Sequence, residues 1–281
     1  MKIVVASGKG GVGKSMLASS LAILFSKTKK VVACDCDVDA PNLGLWLGVK
    51  AYEKVEKIST SEKARIIDQK ACDEKILEIC RFRAIEKRDG EYFINPFLCE
   101  GCGVCKIFYP KAVEIEPVEN AEIRVAKTRF GFPLISAQLY PGESGSGKIV
   151  QALRKRAEEF EHELMILDAA AGIGCPVIAS LVDCDYAILV AEPTPSGFSD
   201  LKRVLEIVSH FKLPYGIVIN KWDINPKLSN KIEEWAKEKL LGKISYDRRV
   251  IDCIVNLKPV VEVESKAKSE IEKIFEKLAF S

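Results

Sequence analysis

The segment Gly8-Lys9-Gly10-Gly11-Val12-Gly13-Lys14-Ser15 carries the densest chemistry in the chain. It fits in full the eight-residue loop whose glycine amides curl round the β and γ phosphates of a nucleotide. In that loop Lys14 neutralises oxygen charge and the Ser15 hydroxyl joins a Mg²⁺ shell, with Met16 next in the binding set. A second near-match, Gly142 to Lys148, has Ile149 where the Mg²⁺-ligating hydroxyl belongs and follows Pro141. It reads as a glycine-rich loop capping a helix from Lys148 to Phe160. Asp168 ends the apolar run Leu164 to Leu167, where a carboxylate can reach Mg²⁺, and Gly172 is placed to offer its amide to the γ phosphate. Asp35, Asp37 and Asp39 follow another apolar run. A turn cluster is the plain reading of these three, and Asp37 is assigned to orient the attacking water. Asn220-Lys221-Trp222-Asp223 lies beyond a further run. In this pattern the Asp accepts from the ring NH and amino group of guanine, a donor pair that adenine lacks.

Ten Cys stand against two His, His162 and His210, in 281 residues. A reducing compartment keeps thiols reduced, which turns the cysteines toward metal or redox work, and so few His argue against His-based zinc or triad catalysis. Cys99, Cys102 and Cys105 form C-x2-C-x2-C, followed by Tyr109-Pro110. Bacterial-type ferredoxins carry this run with a Cys where Tyr109 stands, and in two-cluster forms the fourth ligand of each cluster comes from the other run. Counting back from Cys80, the other run holds Lys70, Asp73 and Ile76 in place of thiols. The losses fall on one cluster, and the spacing predicts a single 4Fe-4S cluster on Cys80, Cys99, Cys102 and Cys105. A four-thiolate zinc site and an empty vestigial module are the alternatives. Cys72 is left unassigned; Cys34, Cys36, Cys175, Cys184 and Cys253 read as packed thiols.

The elements that position these residues follow from periodicity. Lys2 to Ser7 is a strand, Met16 to Ser26 an amphipathic helix, and Val31 to Asp35 a second strand of a right-handed βαβ unit. Leu164–Asp168, Tyr186–Ala191 and Tyr215–Asn220 read as further buried strands, with helices over Ser199–Phe211 and Leu228–Leu241. The expected fold is α/β, a doubly wound, mostly parallel sheet with a small inserted ferredoxin-like α+β module. The expected boundaries are 1–57 and 119–281 for the nucleotide domain and 58–118 for the insert. Ser269 to Phe280 reads as a docked terminal helix.

Lys9 within the glycine loop, Asp35-Cys36-Asp37 and Asp168 to Gly172 resemble the deviant-Walker ATPases of the MinD, ParA and Mrp type. The resemblance implies that Lys9 reaches across a nucleotide-sandwich homodimer and that hydrolysis of ATP to ADP and phosphate waits for dimerisation. It also implies ATP as the nucleotide, with Asn220 meeting the adenine, while Asp223 leaves GTP open. Together with Cys99 to Cys105, Gly172 to Val177 and Glu192 to Gly197, the chain is similar to the subgroup with an inserted ferredoxin domain. Ala170 departs from that pattern, standing where Pro follows the metal-binding Asp by two. The expected work is coupling of nucleotide-driven dimer switching to iron-sulfur assembly or transfer. A nucleotide-gated electron carrier and a non-enzymatic switch are the other readings, with an iron-sulfur client or redox protein as partner. A net charge of +2, from 42 Lys and Arg against 40 Asp and Glu, argues against a nucleic-acid partner. No apolar run is long enough to span a bilayer, so the expectation is a cytoplasmic protein with no membrane partner.

Overall fold

A computed structural model describes residues 1–279 as two compact units. The first comprises Met1–Val55, Ile123–Gln138 and the chain from Ser146 onward; the second comprises Glu56–Glu122 and Leu139–Gly145. The insert is therefore two-part: besides residues close to 58–118, it takes a short return segment that sequence reading assigns to the nucleotide domain. Phe280, where the terminal helix was expected to end, lies outside the described residues.

The first unit is built on parallel strands β1 (Lys2–Ser7), β2 (Val31–Cys36), β10 (Leu164–Ala171), β11 (Tyr186–Ala191), β12 (Tyr215–Asn220) and β13 (Leu240–Ile244). The sheet continues through β9 (Pro133–Leu139), parallel to β2, to β8 (Ala121–Lys127) and β3 (Lys54–Ile58), in the order β13-β12-β11-β1-β10-β2-β9-β8-β3. The central strands are near-continuous Val, Ile, Leu and Ala because helices cover both of their faces. Along β3, β8 and β9 the chain passes from one unit to the other.

Helix α1 (Lys14–Phe25) differs from the amphipathic expectation, for all twelve of its residues are buried. Its sequence permits this because the polar positions are small: Ser19 and Ser20 each return their hydroxyl to the Met16 carbonyl, at 2.9 and 2.7 Å. The covering elements include α2 (Leu43–Trp46) and α10 (Lys266–Ala279), whose Phe275 meets Phe25 edge-on at 4.8 Å. α5 (Ser146–Ala157) and α6 (Cys175–Leu181) pack on β2 and β10. α7 (Pro195–His210) starts where Thr194 accepts from the Gly197 amide at 3.0 Å. α8 (Pro226–Ala236) stops five residues before the expected Leu241, since Lys237 takes a left-handed φ of 50° and the chain turns into β13. α9 (Arg248–Val255) follows.

The second unit has two antiparallel pairs, β4 (Ser61–Ile66) with β7 (Val113–Val118) and β5 (Ile85–Arg88) with β6 (Glu91–Ile94). The hairpin β5–β6 turns through Asp89 and Gly90, both at positive φ, the pair that a tight two-residue turn demands. Two short helices, α3 (Ile76–Ile79) and α4 (Val104–Phe108), complete it. Its core is Ala64, Ile76, Ile85, Tyr92, Ala112 and Val113, with Cys80, Cys99, Cys105 and Tyr109 packed against that group. A core this small has no redundancy. Truncating its fully buried centre, Ile76→Ala, is expected to cost about 2–5 kcal/mol. Amide hydrogen exchange checks this: β5 and β6 should lose protection while α1 keeps it.

Candidate nucleotide site and cysteine cavity

The glycine loop joins β1 to α1, and Gly10, Gly11, Gly13, Lys14, Ser15 and Met16 line one cavity with Asp37. Asn42, Leu45, Trp46 and Ile254 close its far side. The space, about 340 Å³, lies at the lower end of the range that small-molecule ligands occupy. Gly13 has φ of 95°, and a Cβ there would collide with the Asn220 amide, so the close approach of Asn220 requires glycine.

Lys14 and Asp168 form a buried ion pair, Nζ to Oδ1 at 2.9 Å. Burial works against the Lys14 ammonium, yet the Asp168 carboxylate, backed by Asp37 and Asp35, overcomes it and raises the Lys14 pKa above its ordinary value. The other Asp168 oxygen, Oδ2, is buried with no hydrogen-bond partner. A fully desolvated carboxylate oxygen is costly unless something positive completes it. Ser15, next to Lys14 in the chain, is also buried and lines the cavity, so the oxygen donors present suit a hard divalent cation. Asp35, paired in register with Asp168, accepts from the amides of Leu43 at 2.9 Å and Asp37 at 3.3 Å. Burial, then Asp168, pushes its pKa well above the usual carboxylate range. Burial also raises Asp37, which lines the cavity, while Lys14 opposes the shift.

Two placements differ from expectation and one adds to it. The Gly172 amide donates to the Ser7 carbonyl at 3.0 Å, spent on the β1–β10 ladder instead of facing the cavity. Asn220, 4% exposed, gives its Nδ2 to the Val12 carbonyl at 2.7 Å and accepts the Lys221 amide on Oδ1 at 3.0 Å. It props the loop from behind with one N–H and one oxygen lone pair, which leaves its second N–H and second lone pair for other contacts. Asp223, beyond β12, accepts the Tyr246 amide at 2.7 Å and is not among the cavity's lining residues.

Lys9 pairs with Glu192 at 3.0 Å, and Lys221 holds the other Glu192 oxygen at 3.4 Å while donating to the Gly11 carbonyl at 3.2 Å. Half-burial tends to raise the Glu192 pKa, but the two lysines bring it below its ordinary value. Glu192 and Lys221 fall within the segments Glu192 to Gly197 and Asn220 to Asp223 that the sequence singles out, but neither residue had a role of its own there.

In the second unit Cys80, Cys99, Cys102 and Cys105 line one small cavity of about 20 Å³ with Ala64, Ile79, Phe82, Ile85, Ile94 and Val104. The Ala64 amide donates to Cys99 Sγ and the Ala84 amide to Cys80 Sγ, both at 3.3 Å. Gly101 sits at φ 62° against the Glu62 carbonyl, so tightly that any side chain would overlap it. Among the described residues no three or more His, Cys, Asp or Glu converge closely enough to hold a single metal ion. Of the thiol-less positions, Ile76 is fully buried in the core, and Tyr109 donates its hydroxyl to Asp73 at 2.5 Å. That hydrogen bond holds the Tyr109 pKa up at about 12. Cys72 packs against the same core and Cys34, Cys36 and Cys253 are buried as expected, but Cys175, read from the sequence as a packed thiol, is exposed at the first residue of α6.

Asp168→Asn leaves the Lys14 ammonium buried without its counter-charge. The expected cost is about 3–5 kcal/mol of stability, read in thermal melts, together with loss of Mg²⁺-dependent nucleotide binding, read by calorimetry. Retained Mg²⁺ dependence would refute the assignment of Asp168.

Comparison with known proteins agrees with this architecture. An uncharacterised protein of Methanocaldococcus jannaschii, MJ0578, is 40% identical over 278 residues, covering 99% of this chain and 96% of the relative. MJ0823 of the same organism, described as an uncharacterised ATP-binding protein, is 29% identical over 98% of this chain and 96% of its own length. The septum site-determining protein MinD of Pyrococcus horikoshii, solved in complex with Mg-ADP, superposes with a TM-score of 0.62 at 18% identity. That likeness covers 99% of this chain and 95% of the other, and establishes the fold. The model of the CobQ/CobB/MinD/ParA nucleotide-binding domain matches residues 3–260, and the chain belongs to this family of P-loop ATPases.

Proposed function

We propose that the protein is a Mg²⁺-dependent ATPase of this family whose nucleotide state governs a retained 4Fe-4S module of the ferredoxin type, used to carry electrons. The observation that carries the reading is the convergence of four thiols on one cavity. Cys80 comes from the end of α3 and the other three from the segment before and within α4.

The residues present fit such a cluster. The donors are all thiols, the rest of the lining is mainly apolar, and backbone amides point at two of the sulfurs, an arrangement that stabilises cluster sulfur charge. The Tyr109–Asp73 hydrogen bond and the buried Ile76 fill the positions of the lost ligands, in keeping with one cluster. When bound, the cluster supplies a one-electron site. Cys80, Cys99 and Cys105 pack against the module's core, which favours retention. The exposed Cys102 favours the second reading, transfer of the cluster to a client protein.

At the other site, loop amides and Lys14 bind the phosphates, Ser15 and Asp168 hold Mg²⁺, and Asp37 orients the attacking water. ATP is the proposed nucleotide by family membership. Asn220, bracing the loop, keeps one N–H and one oxygen lone pair with which to meet the base. A nucleotide-sandwich homodimer brings Lys9 to the partner's phosphates, and leaving the Glu192 pair is then part of activation.

Anaerobic purification with iron, sulfide and EPR measurement is expected to give about four iron and four sulfide per chain. About eight of each, or zinc without sulfide, would refute the single cluster. Lys14→Ala should abolish nucleotide binding. Lys9→Ala should spare it but remove turnover that rises with protein concentration, and unaltered turnover in that variant would sink the sandwich dimer.

A further inference from the structure

The rim of the cysteine cavity continues into a surface that the proposed function leaves unused. Phe97 is 71%, Leu98 45%, Ile107 75% and Phe108 67% exposed, and these four lie within the twelve residues that also carry Cys99, Cys102 and Cys105. Single exposed apolar side chains are ordinary; a group of large ones flanking a buried reactive centre marks an interaction site.

The turn after Cys80 adds charge to the same rim. Arg83 donates its amide to the Cys80 carbonyl at 2.9 Å and holds a left-handed φ of 53°, a conformation that arginine rarely adopts. The Arg81 guanidinium lies over the Phe82 ring, 5.2 Å from its centroid, and Phe82 is a cavity wall. Four basic residues elsewhere in the module are paired, Lys63 with Glu143, Arg65 with Glu116, Lys87 with Glu74 and Arg88 with Glu86, while among the described residues Lys106 in α4 donates only to the Pro110 carbonyl, at 3.3 Å. Arg81 and Arg83 have no carboxylate partner among the described residues.

We propose that this rim is the docking surface for an acidic, low-potential iron-sulfur protein that exchanges one electron with the module. The inference rests on the reading that the four thiols hold a 4Fe-4S cluster. The apolar side chains supply a contact centre that sheds water, and the two unpaired arginines supply steering and bidentate partners for carboxylates. A second copy of this chain fits poorly. Two-fold pairing of one face with itself sets two arginines of one copy against a rim whose cavity lining carries a single acid, Glu100, so the basic charge is not matched. The exchange is balanced without atom transfer: the reduced carrier loses one electron and the module gains it.

The test uses the full chain with its cluster and, as probe, a bacterial-type two-cluster ferredoxin of strongly acidic composition. Calorimetry with the oxidised probe measures docking alone, and stopped-flow mixing with the pre-reduced probe measures electron transfer. Arg81→Glu/Arg83→Glu is expected to weaken the Kd and slow the second-order rate about tenfold at low salt, the difference shrinking as salt is raised. Phe108→Ser should weaken docking at every salt concentration. Iron and sulfide content and the rate of reduction by methyl viologen, which needs no docking, should stay unchanged in both variants. Equal Kd and rate in wild type and the arginine variant, with cluster content intact, would overturn the proposal. So would concentration-dependent self-association abolished by Phe108→Ser, because the face would then be homotypic. Loss of the proposed cluster function would appear separately, as absence of iron and sulfide in the wild-type chain.

Discussion

The buried pair of Lys14 and Asp168 is the constraint from which the nucleotide site takes its form. The two side chains come from the start of α1 and from β10, and they meet because β1 and β10 are neighbours with Val5 in register with Asp168. Asp35 stands opposite Asp168 on β2, so two carboxylates and an ammonium share one dry space. The amine satisfies one Asp168 oxygen, the second remains bare, and Asp35 is pushed toward its neutral form. An arrangement that leaves a desolvated acceptor unpaired is stable only because the surrounding sheet fixes it, and it is ready for a cation that arrives with phosphate.

What could be read in advance was local. The residues of the glycine loop, and likewise those of the strand ends and of the three clustered cysteines, sit within a few positions of one another, so their spacing marks them out in the sequence. Long-range contacts were not legible. Glu192 meets Lys9 across 183 positions, and Asn220 meets Val12 across 208. The pattern at 220–223 reads as a base-recognition code, whereas in the structure its first residue braces the loop that the base's own phosphates would occupy. Periodicity failed where burial is complete or a backbone turn intervenes. α1 has no exposed face to generate a polar stripe, and a left-handed Lys237 separates α8 from a strand that continues the same apolar composition.

Position by position, the cysteine module was foreseen better than its extent. Cys80 and the run from Cys99 to Cys105 come together at one cavity, yet the return segment Leu139–Gly145 belongs to the same unit. Its polar anchors explain why composition concealed it. Asn120, fully buried, donates to the Ser144 carbonyl at 2.9 Å, and Lys63 reaches Glu143 at 2.7 Å, so a glycine loop is fastened by side chains distant in sequence. The near-match to a phosphate loop at Gly142 to Lys148 is thus spent on structure.

The side chains at positions 76 and 109 are each held by contacts that a thiol could not make. Ile76 is the middle of the module's core, and Tyr109 is tied by its hydroxyl to Asp73. A cysteine at position 76 would open a hole in the packing, and at 109 would strand the Asp73 carboxylate. The module's fold thus resists a thiol at either place, whatever chemistry that thiol would bring.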